Sequence, residues 1–235
     1  MTSPTVTLLR TIALTLLVAA FATPELIAAS SQENLTPREK EREELRDLFT
    51  IAANHRAGSE NAEAWERLVS EAEKAVGDEM PTVLNEDQNG YSSEFVAWAN
   101  ERGMSPDEAA YYALIGRGMR VKALAYARDE RAIPLFNRAL HSPDDLVSAA
   151  AVVGLVFLEQ VEAIPAIELE SKRSSEIGKI FGTYLLVLDH PDAREAAVRM
   201  IDNEYVIASL EDSLDDHGPE RILFQAEINL FELER

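Results

Sequence analysis

The tripeptide Ala-Ile-Pro stands at Ala132–Pro134 and again at Ala163–Pro165, an offset of 31 residues. A proline in the first turn of a helix sacrifices no intrahelical hydrogen bond, because the N–H it lacks has no carbonyl partner there, and its ring meets no preceding turn. The tripeptide therefore predicts a helix entrance, made twice. Laying Arg131–Phe157 over Glu162–Leu188 without gaps aligns Leu155 with Leu186 and Val156 with Val187. Apolar character persists at Leu135/Ala166, Phe136/Ile167, Leu146/Ile177, Ala149/Ile180, Ala150/Phe181 and Val153/Tyr184. Each unit reads as a short helix, a turn (His141–Asp144 or Lys172–Ser175) and a longer helix. Two helices cannot bury both of their apolar faces alone, so successive pairs must lean on one another.

The residues carrying this pattern, Ala132-Ile133-Pro134 at the first helix and Asp144 with Ala149-Ala150 at the second, resemble HEAT repeats. The likeness is to the short bacterial kind also found in phycobilisome lyases, and covers residues 129–202. It departs from that pattern in lacking the usual basic residue of the second helix, where Ser148 and Lys179 differ between the two copies. The resemblance implies an α-α superhelix whose second helices line a groove, and it says little of function. It nominates Asp145/Glu176, Ser148/Lys179 and Val152/Thr183 as equivalent outward positions for a protein or peptide partner.

The remainder of the chain also has helical periodicity. Thr36-Pro37 opens a helix with an apolar stripe at Leu45, Leu48, Phe49 and Ala52; Ser59 is expected to start a second, with Trp65, Leu68, Ala72 and Val76 on one side and Gly77 at its end. Ser92 or Ser93 begins a third helix that stops at Gly103. Three later starts share one pattern, Ser105-Pro106-Asp107, Ser142-Pro143-Asp144 and His190-Pro191-Asp192, each a cap, a proline and an acid at the positive end of the helix dipole. Gly116 and Gly118 either weaken one long helix or divide it. Strand signals are nearly lacking, so the expected class is all-α, with a small helical region over residues 30–104 before a repeat domain over 105–235. Its end, residues 190–235, is expected to form a degenerate cap whose last helix buries Ile222, Leu223, Ala226, Leu230 and Phe231.

The N-terminus is of another kind. Arg10 precedes the apolar run Ile12–Ala22, which is shorter than the roughly 20 residues of a membrane span and is closed by Pro24 and Glu25. It reads as a signal peptide over residues 1–29, leaving an extracytoplasmic, soluble chain with no stable membrane insertion. The chain has no cysteine, so neither disulfides nor a lipidated cysteine are available to it. Its 42 acidic and 22 basic residues give a formal charge of -20, which repels nucleic acid.

Four constellations bear on chemistry. Asn85, Asp87 and Asn89 followed by Gly90 match the opening of a calcium-binding loop, but its twelfth place holds Val96 where a bidentate glutamate belongs, and Glu94 lies two residues early. A calcium-modulated module is thus a weak alternative, and a polar turn the plainer one. His55, His141, His190 and His217 fall in turns or helix ends, and none has a second ligand at the spacing that aims two side chains at one metal. The pairs Asp144–Asp145 and Asp215–Asp216 suit caps and turns better than acid–base chemistry, and the Gly116–Gly118 segment lacks the residues of a phosphate loop. No serine elbow or cysteine nucleophile is present. The expectation is a non-enzymatic scaffold without cofactor; an enzyme or ligand-handling protein akin to the lyase-type relatives is the rival.

Overall fold

The computed structural model describes residues 37–77, 81, 84–85 and 90–218. The expected signal segment, the candidate calcium ligands Asp87 and Asn89, and the expected final helix lie outside the described residues.

The first two helices follow their apolar spacing. Helix α1 (Pro37–Arg56) buries Leu45, Leu48 and Ala52, and α2 (Ala62–Gly77) buries Trp65, Leu68, Ala72 and Ala75. The start of α2 lies later than Ser59: Asn61 Oδ1 accepts the Ala64 N–H at 3.1 Å, and Gly58 at φ 93° keeps the preceding chain in a turn. A two-residue antiparallel pairing, β1 (Leu84–Asn85) with β2 (Gly90–Tyr91), precedes α3 (Ser93–Glu101), which Ser92 caps. Helix α4 (Pro106–Tyr111) opens on a capping box in which Ser105 and Glu108 satisfy each other's backbone N–H groups. A π turn over Tyr112–Gly116 then joins α4 to α5 (Arg117–Ala127). The interruption expected around the two glycines is this turn; Gly118 lies within α5, where a Cβ would come 2.8 Å from the Cβ of Leu146. Its missing side chain is what lets α5 approach the helix that carries Leu146.

The repeated tripeptide produces one geometry twice. Arg128 and Glu159 end the preceding helices in the left-handed region, at φ 52° and 53°. A 3₁₀ turn follows, Glu130–Ala132 or Val161–Ala163. Ala132 and Ala163 then sit at φ/ψ of -82°/-11° and -80°/-13°, and the helices α6 (Ile133–Ala139) and α8 (Ile164–Glu170) begin with Pro134 and Pro165 in their first turns. The longer partners are α7 (Asp145–Phe157), capped by Asp144, and α9 (Ser175–Leu185), capped by Ser174. Helix α10 (Pro191–Ile201) starts at His190 as expected, and α11 (Glu204–His217) at Asn203.

These helices form two rows. In one, α5 packs against α1 and α7, and α7 against α9; in the other, α2 meets α6 and α8 meets α10, with the rows joined by α2 on α5, α6 on α7 and α8 on α9. Ion pairs run along the second row: Arg138–Glu73 at 3.3 Å, His141–Glu170 at 2.7 Å and Arg199–Glu168 at 2.7 Å. One continuous core extends from Leu48 in α1 to Ile207 in α11, so α1 and α2 belong to the same stack as the repeats. The fold is all-α, and the stack is compatible with an α-solenoid. Among the described residues a second, separate core holds Phe95, Trp98, Ala99, Ala109, Ala110 and Ala113 of α3, α4 and the π turn. No described helix is long and apolar enough to cross a membrane.

Candidate interaction surface

The six nominated positions divide between the two copies. On α9, Glu176 and Lys179 are exposed; Thr183 is half-buried and its hydroxyl donates to the Lys179 carbonyl at 2.8 Å. On α7 the expectation is corrected: Asp145 is half-buried, while Ser148 and Val152 are fully buried. The reason is composition. Helix α7 is apolar on every side, with Val147 through Val156 all buried, and a helix without a polar face belongs inside a stack. Offset matching preserves position along the helix, but not which side faces water. The Ser148 hydroxyl donates to the Asp145 carbonyl at 3.2 Å and accepts from Arg173 Nη2 at 2.9 Å, and the same nitrogen donates to Asp145 at 2.7 Å. Burial holds the Asp145 carboxyl above its ordinary value, against the opposing pull of Arg173.

Sequence reasoning missed a set of buried cations on α5. Arg117 and Arg120 are each under 5 % exposed. Arg117 donates from Nε to the Ala75 carbonyl at the end of α2 and from Nη1 to Asp144, both at 3.0 Å. Arg120 gathers Glu41 and Glu44 of α1, Glu71 of α2 at 3.2 Å and the Gly116 carbonyl at 3.2 Å, with the Tyr112 ring 5.0 Å from its guanidinium carbon. Burial opposes ionisation of Glu71, but Lys74 and Arg120 outweigh it and hold the carboxyl below its ordinary value. The available signal was a pair of arginines three apart in a helix that is otherwise apolar on most sides. Such residues require carboxylates supplied from elsewhere.

His55, His141 and His190 are placed as structural contacts. His55 Nε2 lies 2.8 Å from Asp129, and its ring stacks on Trp65 with centroids 4.7 Å apart. Arg131 lies over the same indole at 4.4 Å and forks onto Asp129. His141 pairs with Glu170, and the His190 Nδ1 accepts the Asp192 N–H at 3.2 Å. Among the described residues no group of three or more His, Cys, Asp or Glu side chains is arranged to hold a metal. Of the candidate calcium ligands, Asn85 lies in β1 and Glu94 in the first turn of α3.

An open groove of about 610 Å³ lies between α8 and α10, over the start of α9. Pro165, Leu169 and Met200 give it apolar walls, Gly178 a floor, and Lys172 and Arg199 a charged rim. Leu169 is 61 % exposed, on the side of α8 away from the buried Ile167. The groove adjoins the Glu176–Lys179 stripe, so α9 contributes to both. Nothing in the donor set calls for a metal or cofactor there; its chemistry is that of an aliphatic anchor with polar edges. Compared with protein-family models, with curated proteins and with solved structures, the chain has no match.

Proposed function

We propose that the chain is an exported, non-enzymatic scaffold of HEAT type that holds another protein or peptide against α8, α9 and α10. Leu169 carries the binding part of this reading: it sets an exposed aliphatic side chain beside a groove with apolar walls and a charged rim, where a partner's apolar side chain could be covered. The recurring entrance geometry at Ala132 and Ala163 supports the HEAT part, and the apolar run Ile12–Ala22 behind Arg10 supports export. Arginines serve the joints between helices: Arg117 and Arg120 from the interior, and Arg173 from the surface, each bind two or more helix ends or carboxylates across the stack.

The test compares proteins retained from an extracytoplasmic fraction by the wild-type chain, by Leu169→Glu and by the pair Glu176→Lys with Thr183→Lys, each checked for folding by its thermal transition. A partner held by the wild type and lost at least tenfold by Leu169→Glu supports the reading. Retention unchanged by both variants overturns it.

A further inference from the structure

The α3–α4 hairpin interrupts the stack, and three features set it apart from the helices around it. Its buried side chains do not join the main core: they form a separate cluster of Phe95, Trp98 and four alanines, edged by Tyr91, Met104 and Tyr112, that joins α3 to α4 with far fewer side chains than the main core has. Within that cluster the buried Trp98 indole N–H finds no hydrogen-bond partner among the described residues, although Arg102 lies over the ring at 4.2 Å; an unsatisfied buried donor weakens the packed state further. The hairpin joins α5 through the π turn at Tyr112–Gly116, an element that absorbs changes of direction between helical segments. The far end of that turn is fixed to α5, because Arg120 donates to the Gly116 carbonyl; at its near end the Tyr112 ring packs on the α3–α4 cluster and also meets the Arg120 guanidinium.

We infer that α3 and α4 form a unit that opens by local unfolding, with the π turn as its boundary, while the two-row stack stays folded. The Tyr91 hydroxyl, which donates to Asp107 at 2.8 Å, is a latch within this unit, tying its entry to the start of α4. This inference stands apart from the docking surface on α8–α10, which lies in other helices.

The test is native-state hydrogen exchange on the full chain in a series of low urea concentrations. Amides of residues 93–111 are expected to exchange through an opening with a much smaller urea dependence than those of α5 and α7, which open only with the whole molecule. Tyr91→Phe is expected to speed exchange in residues 93–111 about fivefold, the loss of one hydrogen bond, and to leave α7 unchanged. Exchange of residues 93–111 with the same urea dependence as α7 overturns the inference. So does an effect of Tyr91→Phe spread equally over all helices, and so does the lack of any protection in residues 93–111.

Discussion

The strongest commitments at the scale of single residues are made by buried arginines. Replacing Arg120 with methionine takes the guanidinium away from Glu41 and Glu71, both at least four-fifths covered, and leaves Glu71 only the Lys74 ammonium. The expected cost is about 3–5 kcal/mol in urea denaturation, several times that of Arg194→Met, whose partner Glu211 is at the surface. Asp129 adds a pH dependence. The Arg131 guanidinium, with its backbone N–H and His55, holds the Asp129 carboxyl well below the ordinary carboxylate range, against the burial that would raise it. A depressed folded-state value means that the stabilisation is fully present above that range and is lost as pH falls through the folded value. The wild type should therefore exceed Asp129→Asn in stability by about 1 kcal/mol above pH ~5, with the gap closing as the pH drops below ~4. A gap that widens in acid would show that Asp129 is held by something other than these partners. The pairings of Arg120 with Glu41, Glu44 and Glu71 and of His55 with Asp129 were not legible in the chain, because each joins residues tens of positions apart; Arg131 and Asp129, two apart, are the local exception.

At the scale of elements the chain was easier to read. Helix entrances follow from local rules, so Pro134, Pro165, Ser105 and His190 mark starts that the structure contains. Ser59 and Ser142 were outcompeted as caps by Asn61 and Asp144, each nearer to the free N–H groups. Since Pro165 stands where no intrahelical bond is lost, Pro165→Ala should change stability by less than about 1 kcal/mol. Gly154 is the opposite case. A Cβ there would come 2.7 Å from the Phe136 ring, and α7 cannot recede from α6 without disturbing α5 behind it. Gly154→Ala should cost about 1–3 kcal/mol despite its better helix propensity, and a gain in melting temperature would show that the two helices are not in such contact. What the periodicity could not disclose was orientation: a helix apolar on every side, such as α7, offers no stripe from which to choose its outward face.

For the whole molecule, the decisive property is the continuity of the core from α1 to α11. Leu155→Ala, deep in α7, should cost about 2–5 kcal/mol and shift the transition reported by Trp65 in α2 as much as the one reported by helicity. Separated transitions would show that the N-terminal helices fold on their own. The joints that keep this continuity are not all of one kind. Arg117 and Arg173 reach backbone carbonyls, those of Ala75 and Ser142. A carbonyl is offered by whatever amino acid occupies the position, so mutation cannot delete that acceptor, and each of these two carbonyl bonds, unlike the bonds to Asp144, Asp145 and Ser148 beside them, is exposed to genetic drift only at its arginine end.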